Sequence, residues 1–294
     1  MQYVLIAVIV LLLAYMYWSG RKRAEIDESF LRFVVPLPEP VEFDPTAFTR
    51  AFREQWGGDT TCDENPDWAD EKDQVRRYAV DDGVSKAVIS DYAIPLPKRL
   101  TRLALMTSHA LTNQERDDLE FHTAVLTIES VPDPEHAVQC VRSVARMLIT
   151  LMKLYPGVGY ANASAQVYYQ RSRVEPFMDD DLHSPQLLLA VCTSVHLVSA
   201  GKGVWLHTHG MRYFGLPDLE VRFSDDALSD DYYDLLMNVA AHAIERETPI
   251  EAGDTVSFDG HDEVFALKRS RLRSRRHHGR WRALEVVGRP PSRP

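Results

Sequence analysis

The chain has 294 residues, 45 % apolar and 26 % charged with a net charge of −10, which suits one sizeable domain with additions or two small ones. The acidic balance argues against general nucleic-acid binding. Three widely spaced cysteines, Cys62, Cys140 and Cys192, form neither a disulfide framework nor a CxxC metal motif, in keeping with a reducing compartment.

Met1 to Trp18 carries no charge, ends in Tyr15, Tyr17 and Trp18, and is followed by Arg21-Lys22-Arg23. An apolar run of this length with an aromatic end predicts a transmembrane anchor over residues 1–20. A cleaved signal peptide fits less well, because no basic stretch precedes the run and no small-x-small site follows it. With the positive cluster after the helix, the positive-inside rule puts the N-terminus outside and the body in the cytoplasm. The expectation is a single-pass protein of the inner (cytoplasmic) membrane.

Residues 21–95 read as a proline- and acid-rich tether, with Pro36, Pro38, Pro40 and Pro45 keeping it extended. Asp44-Pro45 supplies an N-cap and a first-turn proline for a short helix to about Trp56. Residues 96–290 read as an α+β domain. Leu100 to Thr107 is predicted as a strand, and Thr112 with Glu115 three residues on opens a short helix through a capping box. Thr123 to Glu129 alternates as a strand, and Asp133-Pro134 opens a helix to about Tyr155 with Val138, Val141, Ala145, Leu148 and Met152 at helical spacing. Strands are expected at Gly159 to Tyr169, within the apolar run Leu187 to Val198, at Val204 to His209 and at Leu219 to Phe223. Asp230 to Glu247 is an amphipathic helix whose predicted stripe is Tyr233, Leu236, Met237, Ala240 and Ile244. Asp254 to Phe258, Val264 to Leu267 and Trp281 to Val287 read as edge strands. The predicted fold class is α+β, a mostly antiparallel sheet with helices packed on one face, preceded by the transmembrane helix.

The sharpest local motif is Trp205-Leu206-His207-Thr208-His209-Gly210. Residues two apart on a strand share a face, so His207 and His209 offer two imidazoles to one metal ion, with His196, Glu220 or Asp218 as candidates for a further ligand. The competing reading gives both histidines a structural role at a strand end. Asp218 and Glu220 flank Leu219 and place two carboxylates on one face, a pattern that serves acid/base chemistry and also marks a solvated strand. Asp179-Asp180-Asp181 lacks the glycine and downstream glutamate of a cation loop. Ser164 has no nucleophile-elbow glycines, and Gly157-Val158-Gly159 follows a helix instead of opening one, so no nucleotide fingerprint is present. Residues 268–282, KRSRLRSRRHHGRWR, hold eight Lys/Arg and no acid. This stretch, with Arg271, Arg273, Arg275 and Arg276, suits an acidic partner or anionic lipid headgroups, or forms a solvated hairpin loop.

Over about residues 130–290 the chain resembles an uncharacterised bacterial family, domain of unknown function 4261. The resemblance rests on His207-Thr208-His209-Gly210-Met211, on Phe214-Gly215 with Pro217-Asp218-Leu219-Glu220-Val221, and on Glu251-Ala252-Gly253-Asp254-Thr255-Val256 after an amphipathic helix. It implies a fold and a recurring surface and brings no established activity.

The leading expectation is a membrane-anchored, non-enzymatic binding or accessory module acting on a protein partner, of the kind that neutralises or escorts a toxin. Its binding surface is assigned to Asp218, Glu220, Arg271, Arg273, Arg275 and Arg276, and no cofactor is expected. The first alternative is an enzyme dependent on a divalent metal held by His207, His209 and Glu220. The second is a structural component of a membrane-associated assembly.

Overall fold

The computed structural model describes residues 30–65, 75–107, 111–162, 165, 167–179, 182–200, 203–223, 229–246, 250–257, 264–270 and 283–288. The anchor expected over residues 1–20 lies outside the described residues, and among these no helix is long and apolar enough to cross a membrane. The arginines of 271–276 also lie outside them.

The fold is α+β with two antiparallel-dominated sheets where the sequence predicted one. The first has seven strands: β1 (Leu31–Leu37), β2 (Thr61–Glu64), β3 (Val75–Asp81), β4 (Lys86–Tyr92), β5 (Ala124–Ser130), β6 (Gly159–Asn162) and β7 (Val167–Gln170). Their spatial order is β2-β3-β4-β5-β1-β6-β7, antiparallel at every junction. The segment expected to be a tether thus contributes four strands, and β1 lies inside the sheet with Leu31, Phe33, Val35 and Leu37 fully buried. Pro36 is compatible with this position because pairing to β6 is confined to Phe33 and Val34.

Helix α1 (Pro45–Trp56) starts as predicted, the Asp44 carboxylate accepting from the amides of Thr46 and Ala47 at 2.9 and 3.0 Å. Lys98–Thr107 is helix α2, not a strand; Ala104 packs from it into a small cluster with Leu119 and Tyr168. Helix α3 (Asn113–Glu120) carries the reciprocal Thr112/Glu115 capping box. Helix α4 (Ala137–Leu154) follows a 3-10 turn at Pro134–His136 and buries Val141, Ala145, Leu148 and Met152 completely. It packs on β1, β5 and α1. The predicted strand Gly159 to Tyr169 is divided into the antiparallel pair β6 and β7, and the short helix α5 (Arg171–Val174) follows.

The apolar run 187–198 divides into helix α6 (Pro185–Cys192) and strand β8 (Ser194–Ala200), with the chain extended at Thr193. Strand β8 opens the second sheet, which also holds β9 (Gly203–His209), β10 (Asp218–Phe223), β11 (Thr255–Ser257), β12 (Val264–Arg269) and β13 (Ala283–Val287). The order is β11-β12-β13-β10-β9-β8, parallel only between β10 and β13. Of the three strands expected at an edge, β11 alone is there; β12 and β13 are interior. Helix α7 (Ser229–Glu245) packs on β9 and β10, and α6 touches both α4 and α7. Of the predicted stripe, Leu236, Ala240 and Ile244 are buried and Met237 packs against the core, while Tyr233 is exposed and Tyr232, Leu235, Val239 and Ala243 are buried beside them. One apolar cluster runs from β1 and α4 through α6 and α7 to β10 and β13.

Candidate functional site

Strand periodicity divides the second sheet into two chemically distinct faces. Leu206, Leu219, Val221, Phe223, Leu284 and Val286 belong to the apolar core. The other face carries His196 of β8, Trp205, His207 and His209 of β9, Glu220 and Arg222 of β10, and Glu285 of β13, matched across the strands by register. Beyond Glu285 lies Lys268 of β12, also on this face.

His196 is directly opposite His207, and His209 is two residues further along β9. The three imidazoles form a close triangle: ring centroids lie 5.4 Å apart for His196 and His207, 5.0 Å for His196 and His209, and 5.0 Å for His207 and His209. His207 is buried, whereas His196 and His209 are partly exposed. The environment assigns the tautomer of His196. The Ser194 hydroxyl donates to the Ala165 carbonyl at 2.8 Å, so its oxygen accepts from His196 Nε2, 2.8 Å away, and the same ring nitrogen lies 3.3 Å from the Ala165 carbonyl. The proton of neutral His196 is therefore on Nε2 and the lone pair on Nδ1. Among the described residues no three His, Cys, Asp or Glu groups converge on a point where a metal ion would sit.

Glu220 faces His207 from the opposite side of β9, but its Oε1 accepts a 2.6 Å hydrogen bond from Ser270 Oγ. Desolvation raises its pKa against the opposing effects of the Ser270 hydrogen bond and the Arg222 charge, with Glu285 adding to the rise. Arg222 pairs with Glu285 at 3.5 Å and lies 4.5 Å above the Trp205 ring.

Asp218 does not share the chemistry of this face. It is 8 % exposed, and Glu220 1 %, so neither is a solvated strand carboxylate. Asp218 Oδ1 accepts from the Met211 amide at 3.2 Å and the Thr208 hydroxyl at 3.3 Å, and Thr208 Oγ1 accepts from the Leu219 amide at 2.8 Å. These bonds tie the strand ends across the turn through Met211–Phe214. Gly210 opens that turn with φ +110, and a Cβ there would stand 2.9 Å from the Cys192 carbonyl, so both conformation and space call for glycine. Burial lifts the Asp218 pKa from 3.8 to about 6, against the lowering effects of Met211, Thr208 and Arg212.

Beside the histidines, a cleft of about 280 Å³ is lined by Tyr168, Tyr169, Thr193, His196, Asp230 and Tyr233 among others. The three cysteines are buried and free. Asp179 pairs with Lys153 at 2.8 Å, and Asp180 and Asp181 lie outside the described residues. Of the residues singled out from sequence, the fold brings together His207, His209 and His196, sets Glu220 beside them, and gives Asp218 to the turn. Ser194, the Ala165 carbonyl, Ser270 and the Arg222–Trp205 pair had not been identified; only the cross-strand register reveals them.

No curated protein and no solved structure matches the chain. Residues 207–273 match the family model described as a domain of unknown function (DUF4261), within the 130–290 span of the resemblance.

Proposed function

We propose that the chain is a membrane-anchored binding module that takes an acidic protein partner on the polar face of its six-stranded sheet. The carrying observation is the basic stretch 268–282, eight Lys/Arg and no acid, in the sequence that runs from the end of β12 to β13. Arg222 and Lys268 are exposed on that face. The Ser270 amide donates to the Ala283 carbonyl at 3.0 Å, so the basic stretch leaves and re-enters the sheet at the adjoining end of β12 and β13. Trp205 under Arg222 adds apolar area of the kind that anchors interfaces. The uncharged run 1–18 followed by Arg21-Lys22-Arg23 supports attachment to a membrane with the body on the cytoplasmic side, and neutralising or escorting a toxin-like partner is one activity such a module performs. The test is recovery of partners from solubilised membranes with the full chain and with Arg222→Glu, Lys268→Glu. One discrete partner lost in the double variant is the expected result; the same set of proteins with both chains refutes the reading.

A metal-dependent enzyme centred on His207 and His209 is the second reading, favoured by the approach of His196 to both. Turnover that requires all three imidazoles would establish it, and a chain fully active with His196→Gln and His209→Gln would eliminate it.

A further inference from the structure

We infer that His196, His207 and His209 bind one divalent transition-metal ion of the zinc class, at a site on β8 and β9 that shares the polar face with the partner surface proposed above but uses none of its residues. The spacing carries the inference. An imidazole nitrogen binds zinc at about 2.0–2.1 Å, which puts the ring centroid about 3 Å from the ion and two tetrahedrally disposed ring centroids about 5 Å apart. The observed separations are 5.0, 5.0 and 5.4 Å. Three rings at that spacing on two paired strands arise because His196 and His207 are register partners and His209 is the next residue on the same face.

The second observation is the holding of His196. Metal-bound histidines donate the other ring N–H to a carbonyl, hydroxyl or carboxylate, which fixes the tautomer and sharpens the lone pair toward the metal. His196 already does this through Nε2 to Ser194 Oγ and the Ala165 carbonyl, leaving Nδ1 as the nitrogen that would ligate. Loading needs one movement. The His196 and His207 rings are within 16° of parallel, and with His196 held through Nε2 it is His207 that must turn about its Cβ–Cγ bond before both nitrogens aim at a common point. Glu220 Oε1 is held by Ser270 Oγ, so the three imidazoles are the ligand set inferred. A set of neutral nitrogen donors selects zinc, cobalt, nickel or copper and rejects magnesium and calcium, which prefer oxygen.

The experiment uses the full chain in detergent, stripped with a chelator and titrated with Zn²⁺, then with Co²⁺ as a spectroscopic probe. One equivalent is expected, with the absorption of tetrahedral Co²⁺ and a rise in unfolding temperature. Binding should weaken in acid, where protons compete with the metal for the imidazole nitrogens. His196→Gln and His209→Gln, both at partly exposed positions, should each weaken Zn²⁺ by at least 100-fold, and Ser194→Ala by about tenfold through loss of orientation. His277→Gln with His278→Gln should leave the Co²⁺ spectrum unchanged. An apo chain that takes up no Zn²⁺ at micromolar concentration, or a spectrum that survives in both His196→Gln and His209→Gln, overturns the inference. A variant that loses metal is counted only if its circular dichroism and urea midpoint match those of the parent apo chain; where His196→Gln misfolds, Ser194→Ala decides by the Co²⁺ spectrum.

Discussion

Substituting Asp218 by asparagine should convert a pH-dependent part of the stability into a constant one. The carboxyl is nearly inaccessible, and burial raises its pKa from 3.8 to about 6 despite the two hydrogen bonds it accepts. Between those values the folded chain holds a proton that the unfolded chain has released, so folding becomes less favourable as pH rises across this window. At 1.36 kcal/mol per pKa unit, the full shift is worth about 3 kcal/mol. That contribution is complete below about pH 3.8 and gone above about pH 6. Asparagine keeps an Oδ1 acceptor for Met211 N–H and the Thr208 hydroxyl while removing the titration. Urea unfolding of the full chain in detergent, from pH 4.5 to 7, should show Asp218→Asn gaining about 2 kcal/mol on the parent over that range. A difference constant to within roughly 0.5 kcal/mol would refute the assignment of a raised pKa. Asp218→Ala, which strands both donors, should lose about 1–3 kcal/mol at every pH.

The other predictions concern groups away from the turn. Phe33→Ala empties a fully buried position on β1, where the ring meets Tyr160 edge-on at 5.7 Å, and should cost about 3–5 kcal/mol by urea unfolding; a loss below roughly 1 kcal/mol would return residues 31–37 to the role of tether. His122 donates from Nδ1 to the Leu119 carbonyl at 2.6 Å and accepts at Nε2 from the Leu96 amide at 2.8 Å, a neutral arrangement, and desolvation lowers its pKa below 6.5. Its contribution is present above pH 6.5 and lost as pH falls through the depressed value, opposite in sign to Asp218; a ring titration by NMR with a midpoint at or above 6.5 would contradict it. Burial pushes the Cys62 thiol up to about 12 and that of Cys192 upward too, so iodoacetamide at pH 8 should label neither in the folded chain and all three cysteines after unfolding.

What could be read from the sequence was what is local. Asp44-Pro45, Thr112 with Glu115, and Asp133-Pro134 each close hydrogen bonds within four residues, so α1, α3 and the 3-10 turn that leads into α4 were legible from their caps. The alternating apolar residues of β5, β9 and β10 were equally plain. Apolar runs without an obvious period were not: 187–198 contains a helix end and a strand start separated only by Thr193, and Lys98–Thr107 forms a helix that leaves Leu100 and Met106 exposed. The prolines around Pro36 hid β1, because its place inside a sheet depends on β5 and β6, more than eighty residues away in sequence. At the site, His207 and His209 follow from the HxH spacing, and His196 was a candidate whose position only register could fix. The carboxylates misled for a related reason: alternation places Asp218 and Glu220 without revealing the turn and the Ser270 contact that bury them.

The partner surface is tested most directly by placing a photo-crosslinking amino acid at position 222, on the polar face of the six-stranded sheet, and at position 86, exposed on β4 of the other sheet, in the full chain in native membranes. One discrete crosslinked product, an acidic protein, is expected from position 222 and none from position 86. Equal products from both positions, or none from position 222, would contradict it.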